Sequence, residues 1–246
     1  MLSHMSPLVL SVALGCVAAT ANAVGGLVIV HREWDRRWLS YFVALGSGFM
    51  LATAVVEMLP ESLRLAPGSA PLVALAGYVL VHFFEHAVVP HFHFGEETHT
   101  EEFLHAHKSL SVVIALLVHT FFDGIAIASG FLLSNRLGWI IFIAVILHKL
   151  PEGFTVASVM LAGGRSRRAA LTSALLLGIA TVAGVLTMGI GREWVRLGLP
   201  LSAGVTLYVS ATDLIPESNR EKGLTLAYVV LAGMLLMIAL RELIPF

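Results

Sequence analysis

Two stretches of the sequence place a histidine and a carboxylate at the same spacing, and they look like copies of each other. They are His119-Thr120-Phe121-Phe122-Asp123-Gly124 and, 29 residues further on, His148-Lys149-Leu150-Pro151-Glu152-Gly153. In a helix, residues i and i+4 share one face, so each copy presents an imidazole and a carboxylate about one turn apart. Imidazole and carboxylate ligands together suit Zn²⁺, Fe²⁺ or Mn²⁺. We therefore expect His119, Asp123, His148 and Glu152 to enclose a divalent metal ion.

Both copies lie inside long apolar runs, where ionisable side chains are rare. A charge at the centre of a membrane helix costs about 2.5–3.5 kcal/mol on insertion scales, so such side chains are functional by default. The alternative is a pair of core histidines bonded to neighbouring acids within a polar helix bundle. Because the same pairing occurs twice, we favour the metal site.

The composition excludes an ordinary soluble domain. Of the 246 residues, 57% are hydrophobic and 13% are charged, against about 45–50% and 25% in globular chains. A run of about 20 apolar residues fills one membrane-spanning helix. Eight such runs occur, at Pro7–Val30, Leu39–Leu63, Ala70–Val89, Ser109–Leu133, Gly138–Ala162, Ala169–Ile190, Leu197–Pro216 and Gly223–Leu243. The sequence predicts an all-α integral membrane protein whose single polytopic domain covers residues 1–246.

Other features of the composition narrow the chemistry and the orientation. The single cysteine, Cys16, excludes an internal disulfide and a thiolate cluster, and the net charge of −1 gives no indication of nucleic-acid binding. With the N-terminus outside, the inside loops carry nine Lys and Arg and the outside segments carry five. The positive-inside rule then predicts a multi-pass protein of the cytoplasmic membrane with both termini outside.

A second internal repeat links the second and seventh predicted spans. Glu57-Met58-Leu59-Pro60-Glu61-Ser62 corresponds to Asp213-Leu214-Ile215-Pro216-Glu217-Ser218 at an offset of 156, which also pairs Gly48 with Gly204. In the predicted topology the two copies run in opposite directions, as in the inverted repeats of secondary transporters. Each proline frees a carbonyl one turn back to face a cavity. The acids Glu57, Glu61, Asp213 and Glu217 are candidate cation attractors near the mouths, or alternatively helix-end acids at the interface.

Further candidate ligands lie outside these repeats. Met50 is a soft thioether donor at a depth similar to that of the site, although a lone methionine on a helix usually serves packing. The third span ends with His82, Glu85 and His86, and a His-rich cytoplasmic loop at about 90–108 follows, including His91 and His93. Such a segment can bind metal weakly and in several ways. The alternative is a solvated, disordered loop.

The combination of these features resembles the ZIP (Zrt/Irt-like) family of metal-ion transporters. The second motif is close to that family's His-Asn-x-Pro-Glu-Gly, and Pro90-His91-Phe92-His93 is similar to the corresponding loop of bacterial members. The resemblance implies a 3+2+3 helix arrangement, uptake of Zn²⁺ or a similar ion toward the cytoplasm, and a frequent homodimer. It implies a transporter rather than an enzyme, with no cofactor beyond the transported ion. Carried over by position, the site comprises His119, Asp123, His148 and Glu152, with Met50 as a possible fifth ligand.

The sequence also departs from the family pattern. Phe122-Asp123 stands where Pro-Glu is usual, Thr120 where Asn is common, and Lys149 where Asn or Asp is common. Many members are thought to hold two adjacent metals, and here ligands expected for the second are missing or replaced. We expect the Lys149 side chain to reach Asp123 or Glu152 and its ammonium to take the electrostatic place of the second ion, leaving a single-metal site. Alternatively, Lys149 snorkels away and only fills space.

Three function classes fit a buried metal site to different degrees. A transporter of Zn²⁺, or of Fe²⁺, Mn²⁺ or Cd²⁺, explains both repeats and needs no ATP motif. A membrane metal-dependent hydrolase leaves the inverted repeat without a purpose, and His-Glu-x-x-His is missing from the sequence. A metal- or haem-sensing membrane module leaves Asp123 and Glu152 unexplained. We favour transport.

Overall fold

The computed structural model describes residues 6–31, 36–88, 106–189, 192–215 and 224–243, which are predominantly helical. The α-helices are α1 (Pro7–His31), α2 (Arg36–Thr53), α3 (Leu59–Leu65), α4 (Ala70–Val88), α5 (Ala106–Leu133), α6 (Asn135–Ala162), α7 (Arg167–Met188), α8 (Val195–Tyr208) and α9 (Thr225–Leu243). A π-helical segment, Ala54–Met58, joins α2 to α3, and a second one, Val209–Leu214, continues α8. A short 3₁₀ turn, Arg192–Trp194, precedes α8.

Within this described part, six helices are long and apolar enough to cross a membrane. They are Pro7–His31, Val43–Leu65, Leu116–Leu133, Asn135–Leu161, Arg167–Met188 and Thr225–Leu243. The apolar part of α4, Ala70–Phe84, is shorter, and the α-helical part of α8 has 14 residues. The protein is therefore an all-α, multi-pass membrane protein, while eight crossings remain a prediction.

The hairpin of α5 and α6 brings the two His-carboxylate motifs to the same level. Ser134 alone separates the two helices, and its extended backbone reverses the chain while its hydroxyl accepts a hydrogen bond from the Leu137 amide at 3.2 Å. Asp123 lies 11 residues before Ser134 and His148 lies 14 residues after it. At 1.5 Å per residue, both lie roughly 17–21 Å from the link. The motifs therefore face each other across the hairpin.

Each motif ends in a glycine that lies directly against the backbone of a further helix. A Cβ at Gly153 would clash with the backbone carbonyl of Asn22 on α1, and a Cβ at Gly124 would clash with that of Thr181 on α7. Small residues allow membrane helices to approach to backbone contact. The carboxylates that precede these glycines are therefore held by close packing of α6 on α1 and of α5 on α7.

The 156-residue offset reappears in the packing of the remaining helices. Gly48 of α2 lies against the carbonyl of Val230 on α9, and Gly204 of α8 lies against the carbonyl of Ala74 on α4. Gly48 and Gly204 are 156 residues apart, and so are the two residues that they contact, Ala74 and Val230. The two π-helical segments correspond at nearly the same offset. The repeat therefore extends to α4 and α9, which the sequence analysis did not include in it.

Candidate metal site

The structure brings the four predicted ligands together in the interior. The residues are His119, Asp123, His148 and Glu152. Each offers one imidazole nitrogen or carboxylate oxygen, and these four atoms all lie within 4.8 Å of one another. All four residues are buried, and the largest relative exposure among them is 4%. A cluster of two imidazoles and two carboxylates has the donor chemistry that Zn²⁺ and neighbouring transition metals accept.

One carboxylate oxygen lies at the centre of this cluster. The Asp123 Oδ2 atom is 3.2 Å from His148 Nε2 and 3.4 Å from His119 Nε2. It is also 2.7 Å from the Nζ atom of Lys149. Both motif histidines therefore meet on the aspartate of the first motif, and the lysine of the second motif joins them.

The His148 ring is oriented so that a lone pair faces the cluster. Its Nδ1 lies 2.9 Å from the backbone carbonyl of Ala144 and donates a proton to it, so in the neutral imidazole Nε2 is an acceptor. That acceptor faces the Asp123 carboxylate at 3.2 Å. Two acceptors at this distance need a proton or a metal cation between them, and a carbonyl-anchored imidazole is the usual second shell of a histidine metal ligand.

Lys149 links the two carboxylates. Its side chain is fully buried, and its Nζ lies 2.7 Å from Asp123 Oδ2 and 2.5 Å from Glu152 Oε2. It also donates to the Thr120 hydroxyl at 3.1 Å, and that hydroxyl donates to Glu152 Oε1. Two carboxylates and one ammonium leave the cluster with one net negative charge when both imidazoles are neutral, which suits a cation.

A small cavity borders the cluster, with room for about one water-sized molecule. Its walls include Met50, Thr53, Met58, Asp123, His148 and Thr206. Met50 thus lies beside two of the predicted ligands. Met58 and Thr206 were not identified from the sequence. Thr206 is 156 residues from Met50, so the repeat offset was a signal that could have identified it.

The acids predicted near the mouths have diverse surroundings. Glu57 Oε1 lies 2.8 Å from Arg241 Nε and 3.4 Å from an Arg136 guanidinium nitrogen, so two cations bracket this carboxylate. Neither arginine was identified from the sequence as a partner of Glu57. Glu61 pairs with the exposed Arg64 at 3.4 Å. Asp213 belongs to the second π-helical segment, but its side chain lies outside the described part, as does the whole of Glu217.

The histidines after the third span are only partly described. On α4, the His82 Nδ1 lies 3.4 Å from the Tyr208 hydroxyl. The backbone of Glu85 and His86 belongs to α4, whereas their side chains lie outside the description. His91, His93 and the rest of the predicted His-rich loop up to residue 105 lie outside the described residues.

Comparisons with known proteins agree with this chemistry. The ZIP zinc transporter family model matches residues 93–241. Zinc transporter GufA of Myxococcus xanthus is 30% identical over 222 residues, which cover 83% of this chain and 86% of that protein. Zinc transporter SLC39A7 is 31% identical over 142 residues in Rattus norvegicus and 28% over 145 residues in Homo sapiens. These two matches cover 52% of this chain but 30% of the SLC39A7 proteins. Because the family model matches more than half of the chain and GufA aligns over most of its length, this protein belongs to the ZIP zinc transporter family.

Proposed function

We propose that this protein carries a divalent transition-metal ion across the cytoplasmic membrane toward the cytoplasm, through a site between α5 and α6. Zn²⁺ is the first candidate cargo, and Fe²⁺, Mn²⁺ and Cd²⁺ are further candidates. An inside-negative potential favours inward movement of a 2+ ion by roughly 4–5 kcal/mol per 100 mV, so the gradient alone can drive transport.

The single observation that carries this proposal is the pair of acceptors at the centre of the cluster. His148 Nε2 and Asp123 Oδ2 lie 3.2 Å apart in a buried position, where a cation between them is strongly favoured. His119 and Glu152 supply the remaining imidazole and carboxylate, and Met50 a possible thioether. Because the ion is the cargo, its site must hold it and also release it, which suits a small set of mixed donors.

We further propose that the site holds one ion, with Lys149 in the electrostatic place of a second. The proposal is supported by the position of the ammonium, which contacts both carboxylates. Thr120 completes the same group by contacting Lys149 and Glu152. A second ion beside the first would have to displace a buried ammonium from two carboxylates, at a cost of several kcal/mol.

The predicted layout accompanies this function. We propose a single domain with eight crossings in a 3+2+3 arrangement, an inverted repeat, both termini outside, and assembly as a homodimer. The repeated glycine contacts at the offset of 156 support the repeat. In that layout Glu57, Glu61, Asp213 and Glu217 mark the transport pathway near its two ends.

Two other function classes use the same imidazoles and are less well supported. A membrane metal-dependent hydrolase needs an open ligand position for a nucleophilic water, whereas the carboxylates here are bridged by Lys149. A haem-sensing module needs two imidazoles that hold a planar ring between them, whereas here both Nε2 atoms lie within 3.4 Å of the same Asp123 oxygen. The relatives, by their names, are zinc transporters.

Flux through sealed proteoliposomes of the purified protein tests the proposal. We expect Zn²⁺-dependent filling of vesicles with an inside-negative potential, and loss of that flux in His148→Ala. Met237→Leu, a buried change on α9 outside the cluster, serves as the matched control. Hydrolysis or haem binding without ion flux would overturn the proposal in favour of another class.

A further inference from the structure

Two methionines line the cavity beside the candidate ligands. Met50 and Met58 both border the space that Asp123 and His148 border, and each has a relative exposure of 1%. A buried methionine usually fills space in a core. These two instead face a space with the size of one small ion or water and share its wall with an imidazole and a carboxylate.

The π-helical segment explains why Met58 has this position. In a continuous α-helix, Glu57 would follow Thr53 by four residues and lie on the same face. The π-helical segment Ala54–Met58 has i→i+5 hydrogen bonds, and the wider turn moves that face by one residue. Met58 therefore borders the cavity, and the Glu57 carboxylate is directed to Arg241 and Arg136 instead.

This register shift changes the chemistry of the wall. It replaces a hard, charged oxygen ligand with a soft, neutral sulfur. Thioether ligands select soft ions, whereas carboxylate oxygens suit hard ones such as Mn²⁺. The neighbouring Thr53 hydroxyl donates to the Phe49 carbonyl at 2.9 Å, so its oxygen remains an acceptor and does not oppose a cation.

We propose that Met58 contacts the transported ion and, together with Met50, makes the cavity a subsite that favours soft divalent ions such as Cd²⁺ over hard ions such as Mn²⁺. The inference rests on the proposed function, because it concerns the same site. It adds Met58 to the proposed ligands and predicts which ions the site prefers. The two sulfurs extend a donor set that already contains the His148 imidazole and the Asp123 carboxylate.

Competition in proteoliposomes tests the selectivity. Every protein in this test is made with the background substitution Cys16→Ala. This substitution removes the single, exposed cysteine and with it any thiolate binding of Cd²⁺. In Met58→Leu, which preserves size and hydrophobicity, we expect inhibition of Zn²⁺ uptake by Cd²⁺ to weaken about threefold or more relative to inhibition by Mn²⁺. Met237→Leu should leave the ratio of the two inhibitors unchanged.

A second variant and a direct measurement keep the test decisive. Met58→Cys places a softer sulfur at the same point and should strengthen Cd²⁺ inhibition relative to Mn²⁺. X-ray absorption of the Cd²⁺-loaded protein should show sulfur neighbours that diminish in Met58→Leu. An unchanged inhibitor ratio in both variants, or an unchanged sulfur contribution, would overturn the role of Met58. Persistent flux in His148→Ala would instead overturn the proposed function, so the two failures are distinguishable.

Discussion

The two His-carboxylate motifs have the same spacing and face each other, yet their carboxylates have different partners. Asp123 on α5 meets both imidazoles and the Lys149 ammonium through one oxygen. Glu152 on α6 meets the same ammonium and the Thr120 hydroxyl. The α5 copy therefore supplies the central oxygen of the cluster, and the α6 copy supplies the positive charge that links the two acids.

The second position of the motif explains most of this difference. Thr120 and Lys149 occupy equivalent places, 29 residues apart, and their side chains touch at 3.1 Å. The first motif has a short hydroxyl at this position, and the second has a long cationic side chain that contacts both Asp123 and Glu152. The comparison shows that a duplicated motif provides a symmetric frame, while one unequal position gives its two carboxylates different electrostatic roles.

The largest expected effect comes from removing the central oxygen. Asp123→Ala should abolish Zn²⁺ uptake, because it removes a ligand and leaves Lys149 with one carboxylate instead of two. Breaking a buried ion pair also destabilises a protein by roughly 3–5 kcal/mol. Vesicle uptake and thermal unfolding, at equal protein amounts, measure the two effects. Glu152→Ala should also strongly reduce uptake, and near-normal flux in both variants would eliminate the assignment of these ligands.

Changing the unequal position should alter the number of bound ions. Lys149→Asp replaces the ammonium with a third carboxylate, so we expect it to permit a second ion where the native protein holds one. Native mass spectrometry or anomalous scattering counts the ions. Two adjacent ions in the native protein would contradict the role of Lys149. One ion in Lys149→Asp would indicate that the lysine is a bystander.

The glycines that end the two motifs should contribute equally to the stability of the protein. Gly124→Ala and Gly153→Ala each force a methyl group against a neighbouring backbone, so each should lower the free energy of unfolding by about 1–3 kcal/mol. Thermal unfolding in detergent provides the measurement. Gly68→Ala is the control, because a Cβ there meets nothing within 4 Å. A large loss of stability in only one of the two variants would show that the two motifs are not packed equivalently.

The smallest effect is expected away from both motifs. Simultaneous replacement by alanine of the loop histidines, His91, His93, His99, His105 and His107, should not abolish Zn²⁺ uptake. These residues belong to neither His-carboxylate motif. We expect a changed response of the uptake rate to metal on the cytoplasmic side. Uptake measured with and without internal Zn²⁺ tests this expectation. A folded but inactive variant would show that a loop ligand belongs to the transport path.

Local patterns in the sequence predicted much of the fold and of the candidate site. Apolar runs of membrane-spanning length predicted the helices, since the bilayer sets that length. The i, i+4 spacing predicted that His119 pairs with Asp123 and that His148 lies near Glu152, because helical periodicity is local. The repetition of this spacing 29 residues further on predicted that the two pairs would enclose one ion. Residue type and spacing along the chain were therefore sufficient to predict that these four side chains form one buried group.

Only the tertiary structure decided which partners the Glu57 carboxylate has. Arg136 and Arg241 reach Glu57 from distant helices, and no periodicity encodes which helix ends lie side by side. The π-helical turn that places Met58 on the cavity wall shifts the helical register by one residue, whereas a continuous α-helix would place Glu57 there. Both outcomes depend on how whole helices pack, and that packing is set by many contacts between residues far apart in the chain.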